Sequence, residues 1–192
     1  MGRTLLITND FPPRPGGIQQ FVHNLAVRQP AGSVVVYAST WKGAAAFDAA
    51  QPFEVIREQT SVLLPTPAVA KRAASLAREH GCDRVWFGAA APLGLLADGL
   101  RRNAGVTRAV SLTHGHEIGW AALPGARQLL RRIARGNDVV TYLGSISAPG
   151  STARCTGSPI WNGSRPASTW RRSTPASTVR RSAPDTASPA GR

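Results

Sequence analysis

Apolar runs too short to be helices recur along this chain, and segments with helical spacing separate them. Leu5-Leu6-Ile7 within 3–8, Val34-Val35-Val36-Tyr37, Val85-Trp86-Phe87 within 84–87, Ala109-Val110 within 108–112 and Val139-Val140-Thr141-Tyr142 read as strands. A strand that is apolar on both faces must be covered on both, which is the situation of a parallel sheet flanked by helices. Ile18, Phe21, Val22 and Leu25 fall on one face of a helix over 17–28. Thr66 can cap a helix that Pro67 opens and Gly81 ends, running to about residue 80. Helices are also expected over 92–103 and, basic and amphipathic, over 124–135. Residues 53–57 and 62–64 are strand-like, and 41–51 is a loop or short helix. The fold class is α/β, an open parallel Rossmann-like sheet.

Ligands in such sheets sit at the C-terminal ends of the strands. Three stretches follow strands and should share that edge: residues 8–17, the turn at 88–92, and 114–117. The first, Thr8-Asn9-Asp10-Phe11-Pro12-Pro13-Arg14-Pro15-Gly16-Gly17, passes from strand to loop to helix. A helix start offers free N–H groups and a positive dipole end, which suits a phosphate. Gly16 and Gly17 let a ligand come close to the backbone. The plainer alternative is an ordinary turn between strand and helix. The spacing is neither a Walker loop nor GxGxxG.

Basic residues outnumber acidic ones by 23 to 10. The excess is uneven: residues 1–144 hold 16 basic and 9 acidic side chains, residues 145–192 hold 7 and 1. Two cysteines, Cys82 and Cys155, imply no disulfide framework. Cys82 reads as a loop residue with no His or second Cys beside it, which argues against a catalytic thiol. No signal segment opens the chain and no apolar run is long enough to span a bilayer, so a cytoplasmic protein is expected, with peripheral contact at the inner face of the membrane open to a basic surface.

Asn9-Asp10-Phe11-Pro12-Pro13 followed by Gly16-Gly17-Ile18-Gln19 resembles the N-terminal signature of the retaining GT-B glycosyltransferases of family 4. Ser61-Val62-Leu63-Leu64-Pro65-Thr66-Pro67, Val85-Trp86-Phe87-Gly88-Ala89-Ala90-Ala91-Pro92-Leu93, and Thr113-His114-Gly115-His116-Glu117 with Gly119-Trp120 extend the resemblance. It covers the chain to about Gly144. It implies the N-terminal, acceptor-side domain of a GT-B fold and, most specifically, mannosyl transfer from GDP-mannose to a phosphatidylinositol mannoside. By the same resemblance, Gly16 and Gly17 lie beside the donor diphosphate, and His114 lies near the transferred sugar as the catalytic-site histidine. Asp10, His116 and Glu117 belong to the surrounding active-site loops; the plainer alternative for Asp10 is a residue that caps or pins its loop. No metal or other cofactor is implied. His-Gly-His-Glu lacks a third ligand at plausible spacing for zinc, and the alternative for His114 is a strand-end histidine satisfied by backbone. Arg127, Arg131, Arg132 and Arg135 share helical spacing. They are either a solvated face or a surface for an anionic acceptor headgroup or membrane. Trp120 and Leu123 are either core or lipid-dipping. Trp86 and Phe87 are expected in the core.

After Gly144 the periodicity ends. Residues 145–192 are rich in Ser, Thr, Ala, Pro, Gly and Arg, the composition of a disordered basic linker. It is also what GC-rich coding DNA yields in a wrong frame. Back-translating Gly144-Ser145-Ile146-Ser147 as GGC AGT ATA TCC and restoring one G after the first codon gives GGC GAG TAT ATC, or G-E-Y-I. With third bases free, residues 164–178 (SRPASTWRRSTPAST) become LAPGVDVETFHPGVD. The PGVD…F.P pattern is how the resembling family enters its second domain. The expectation is a domain at 1–144 and an out-of-frame tail at 145–192, the chain alone being inactive because the donor-binding half is missing. Two other functions compete: a non-catalytic α/β binding domain, and a charge-driven nucleic-acid binder. The second is disfavoured because the body carries no reader motif and the tail interleaves only Trp161 and Trp170. DNA affinity that disappears with residues 145–192 would be tail electrostatics alone.

Overall fold

The structure is a computed structural model and describes residues 2–115 and 124–141. Chain order is β1 (Arg3–Thr8), α1 (Gly17–Val27), β2 (Val34–Ser39), α2 (Ala44–Ala49), β3 (Glu54–Glu58), α3 (Pro67–Glu79), β4 (Cys82–Phe87), a 3-10 turn (Leu93–Leu96), α4 (Ala97–Ala104), β5 (Arg108–Leu112), α5 (Pro124–Gly136) and β6 (Val139–Thr141). The strands form one six-stranded sheet in the order β3-β2-β1-β4-β5-β6, and every pairing is parallel. The Rossmann-like reading holds.

Alternation along the strands divides the core in two. Leu5, Ile7, Val35, Tyr37, Val85, Phe87 and Ala109 face α3, the 3-10 turn and α4. Leu6, Val34, Val36, Ala38 and Leu112 face α1, with Phe11 and Val22. Leu5, Leu6, Ile7 and Val35–Ala38 are wholly buried, which explains why these strands read as unbroken apolar runs. Burying such side chains contributes about 1.5–3 kcal/mol each.

Helix boundaries follow local chemistry. The Thr66 hydroxyl accepts from the Val69 N–H with Pro67 in the first turn, and Gly81 turns out of the helix at a φ of 61°. Three expectations need correction. Residues 62–64 are not a strand; they form an extended link whose backbone is paired by a side chain, described below. The segment 92–103 is not one helix: a 3-10 turn precedes α4. Cys82 is not in a loop; it opens β4 and is buried. Burial pushes its thiol up from the ordinary value, so it is poorly nucleophilic. Phe87 is core as expected, while Trp86 is half-buried against the α1 side. The expected boundary at Gly144, the tail at 145–192 and Tyr142 lie outside the described residues.

Candidate functional site

The sheet reverses its winding between β1 and β4, and a crevice is expected at the carboxyl ends of those two strands. The loop from β1 to α1 is fixed there by side chains. Thr8 is fully buried; its hydroxyl accepts from the Asp10 N–H at 2.8 Å. The Gln19 amide donates to Asp10 Oδ1 at 2.8 Å, so Asp10 pins the loop to the first turns of α1. Asn9 acts as a backbone substitute: its Nδ2 donates to the Leu63 carbonyl at 2.9 Å and its Oδ1 accepts from the Leu63 N–H at 2.5 Å. This pairing satisfies both polar groups of a residue whose side chain is completely buried.

Arg57, from β3, holds the same loop from another direction. Its guanidinium donates to both Asp48 oxygens at 2.7 and 3.0 Å, to the Pro12 carbonyl at 2.6 Å and to the Ser39 carbonyl at 2.9 Å. It also lies 5.5 Å from the Phe11 ring centre. The side chains of Arg57 and Asp48 are only 8% and 13% exposed, so this is a charge pair held in low dielectric with its donors used. Phe11 sits in an aromatic group with His23, Phe47 and Phe53, at centroid separations of 5.7, 6.2 and 6.3 Å. Two acids besides Asp10, Asp48 and Glu58, stand beside this loop. Each is engaged, Asp48 by Arg57 and Glu58 by the Tyr37 hydroxyl, which donates to it at 2.6 Å. Burial, and then Glu58, push the Tyr37 phenol well above its usual range.

On this frame Gly16 and Gly17 are exposed. Gly16 precedes α1 with φ 150° and ψ 159°, α1 has no side-chain cap, and its first turn carries no acid. The first N–H groups of the helix thus lack an intrahelical partner and face an accessible edge. A Cβ at Gly16 would collide with the Gln19 side chain, which is itself held by Asp10. That explains glycine at this position; at Gly17 a Cβ would meet nothing.

The turn after β4 closes the crevice. The Gly88 N–H donates to the Ile7 carbonyl at 3.0 Å, and a Cβ on Gly88 would overlap Thr8. His114, two residues beyond β5, has Nε2 2.6 Å from the Gly88 carbonyl oxygen, the proton being on Nε2 for that contact to be a hydrogen bond. Its ring meets the edge of Phe21 at a centroid separation of 5.9 Å. Phe21 lies one turn into α1 from Gly17. His114 and the start of α1 therefore share one edge across the β1–β4 crevice. The backbone contact expected of a purely structural strand-end histidine is also present. His116, Glu117, Trp120 and Leu123 lie outside the described residues.

The arginines are elsewhere. Arg127, Arg131, Arg132 and Arg135 are exposed on α5. Arg127, Arg131 and Arg135 form one stripe at successive four-residue steps, with Arg132 about a quarter-turn or more round the helix. Ile133 lies against Gly94 of the 3-10 turn, and the buried Asn137 amide donates to the Gly94 and Ile133 carbonyls at 3.2 and 2.7 Å. This seats α5 on the α4 face of the sheet, opposite α1. Among the described residues no three His, Cys, Asp or Glu side chains gather as a metal site. Asn9 and Arg57, the residues that hold the loop, were not singled out by sequence. Asn9 stood inside the quoted motif; Arg57, in a strand otherwise half-exposed, carried no signal of its role.

No family model matches the chain. The chain is 50% identical over 143 residues, 73% of its length, to the GDP-mannose-dependent monoacylated alpha-(1-6)-phosphatidylinositol monomannoside mannosyltransferase of Corynebacterium glutamicum. It is 50% identical over 153 residues, 77% of its length, to the GDP-mannose-dependent alpha-(1-6)-phosphatidylinositol monomannoside mannosyltransferase of Mycobacterium tuberculosis, and 50% identical over 145 residues to that of Mycolicibacterium smegmatis. It spans 37–40% of the length of these relatives. Over roughly three quarters of its own length the chain therefore shares half of its residues with two fifths or so, by length, of these mannosyltransferases.

Proposed function

We propose that this chain is the acceptor-side part of a retaining α-mannosyltransferase that moves mannose from GDP-mannose to a phosphatidylinositol mannoside. The observation that carries the reading is the 50% identity to relatives with that named activity, joined to an edge where an uncapped helix start and His114 flank one crevice. In this reading the exposed N–H groups at Gly16 and Gly17 stabilise the charge that grows on the diphosphate as the glycosidic bond breaks. His114 holds the transferred sugar, its ring set by Gly88 and Phe21. Asp10 acts through Gln19 as a positioning residue, and His116 and Glu117 complete the loop. The reaction is assigned no metal. Arg127, Arg131 and Arg132 are proposed to meet the anionic headgroup of the acceptor or its membrane. Among the described residues no helix is long and apolar enough to cross a bilayer; the contact we propose is a peripheral one, at the cytoplasmic face.

Because the chain spans about two fifths of its relatives, we propose that it binds acceptor but does not turn over alone, with a second domain supplying most donor contacts. The matched length of 143–153 residues supports a body of about the size of residues 1–144. The test is a hybrid of residues 1–144 with the remaining segment of the Mycobacterium tuberculosis relative. It should transfer mannose from GDP-mannose, with chelator present, while the 192-residue chain does not. Transfer by the chain alone, or a folded hybrid that binds neither donor nor acceptor, would overturn the reading.

A further inference from the structure

We propose that Arg14 is a phosphate-binding residue of this edge, its guanidinium taking two oxygens of a phosphate carried by one of the reactants. The inference rests on the mannosyl-transfer reading above. Four arginines are half-buried among the described residues: Arg3, Arg14, Arg57 and Arg101. Three of them spend their donors inside the protein. Arg3 donates to the Gly32 and His80 carbonyls, Arg57 to Asp48, Pro12 and Ser39, and Arg101 to Gly136, Thr107 and Asp138. Arg14 donates to no protein group and enters no ion pair among the described residues. A cation partly withdrawn from water with its N–H donors unspent is costly to hold, and a bound anion removes that cost.

The position of this side chain is built by its surroundings. Pro13 and Pro15 flank it, so φ is fixed at both neighbours and the backbone of Arg14 itself is restricted by the proline that follows. Arg57 holds the Pro12 carbonyl at 2.6 Å, and a Cβ on Gly43, in the loop after β2, would lie 3.9 Å from Pro13 Cγ. The guanidinium stands 5.1 Å from the Trp41 ring centre. The Thr40 N–H donates to the Thr60 carbonyl at 2.9 Å, which anchors the loop that carries Trp41. A cation–π contact orients the planar fork and consumes none of its donors.

The carboxylates of these loops do not take that fork. Asp10 and Glu58 keep their charge, because the Gln19 amide and the Tyr37 hydroxyl that bond them are neutral, yet neither pairs with Arg14. Asp48 is held by Arg57. The proline-bounded backbone and the Trp41 ring keep the guanidinium apart from all three. It sits instead two residues before Gly16, where the exposed N–H groups of α1 begin. A guanidinium fork matches two oxygens of one phosphate. Both reactants of the proposed transfer carry phosphate, the donor as a diphosphate and the acceptor as a phosphodiester.

Binding is read first on the full 192-residue chain, where no glycosyl transfer is needed. Inorganic pyrophosphate and glycerophosphoinositol are titrated against tryptophan fluorescence, since an anion drawn to Arg14 perturbs the indole beside it. One of the two probes should change wild-type emission saturably, and Trp41→Phe should abolish the change. Arg14→Gln should weaken that probe about 10–100-fold. Arg14→Lys keeps the charge without the fork and should recover only part of the loss. In the hybrid enzyme Arg14→Gln should raise KM by a similar factor for the matching substrate. That substrate is the phosphatidylinositol mannoside if glycerophosphoinositol is the probe that binds, and GDP-mannose if pyrophosphate is. A mere clasp between two loops breaks equally from either side. Arg14→Gln and Trp41→Leu would then lower the melting temperature alike and leave KM for both substrates unchanged, which would overturn the proposal. So would the absence of a saturable response to either probe. If Arg14→Gln melts abnormally, Arg14→Lys carries the test, and probe affinity equal to wild type overturns the assignment. A hybrid that transfers no mannose, beside a chain whose phosphate response depends on Arg14, would sink the mannosyl-transfer reading and leave Arg14 a phosphate ligand. Normal transfer and KM values in the Arg14→Gln hybrid would sink this inference alone.

Discussion

Where β1 runs out into its loop, the segment 9–13 is tied from three sides: Asn9 to the Leu63 backbone, Asp10 to Gln19 of α1, and the Pro12 carbonyl to Arg57. At the opposite ends of the strands the polar side chains are spread out. Arg3 donates to the Gly32 and His80 carbonyls, both at 3.0 Å, and Asp138 takes the Ala109 N–H at 2.8 Å and Arg101 at 2.6 Å. The second set closes separate turns onto separate strands. The first converges on one loop, where hydrophobic burial alone would leave the backbone free to shift. Binding loops elsewhere are commonly the least stable part of a domain; here the loop is braced by side-chain hydrogen bonds to Leu63, α1 and β3. A site that needs N–H groups at fixed positions gains from that preorganisation.

Breaking the converging set should cost most. Arg57→Ala leaves the Asp48 carboxylate buried and unpaired, with the Pro12 and Ser39 carbonyls unsatisfied, and should destabilise the chain by about 3–5 kcal/mol in urea unfolding. Asn9→Ala strips both backbone partners from Leu63 and should cost about 1–3 kcal/mol. In the hybrid enzyme it should also slow mannosyl transfer, because the loop bearing Gly16 loses a brace. Asp138→Ala sharpens the contrast. Its carboxylate is 46% exposed, so about 1 kcal/mol is expected, with transfer by the hybrid unchanged. A loss of transfer as large as that from Asn9→Ala would erase the distinction between the two ends.

The smallest expected effect is on pH dependence. Burial, then Glu58, raise the Tyr37 phenol above its ordinary value of 10.0. Above that pH the unfolded chain releases a proton that the folded chain keeps, so stability should fall as pH rises past about 10. Tyr37→Phe should flatten that decline in alkaline urea titrations, although it also removes the bond to Glu58.

The sheet was legible because Leu5–Ile7 and Val34–Tyr37 are buried on both faces, leaving no alternation to mislead. Thr66 and Pro67 marked α3 because both signals act within four residues. Residues 62–64 were misread because an extended link with a buried Leu63 has the same apolar pattern as a strand; only Asn9, 54 residues away, decides which it is. Arg57 escaped notice for the same reason, since its partners Asp48, Ser39 and Pro12 come together only in the folded chain. Cys82 looked like a loop residue because Gly81 and Asp83 flank it, yet β4 begins there. Gly16 and Gly17 were visible as a strand–loop–helix junction, while the hold of Gly88 on His114 spans 26 residues.

The most direct test of the account is the rate of mannosyl transfer by the hybrid enzyme with His114→Ala, set beside Asp138→Ala. If the crevice between β1 and β4 is the donor-side edge, His114→Ala should lower kcat/KM by about 10²–10³-fold while costing only about 1–3 kcal/mol in urea unfolding for its lost bond to Gly88, and Asp138→Ala should leave kcat/KM near wild type. Equal rates for all three proteins would contradict the account and leave His114 a strand-end residue held by the Gly88 carbonyl.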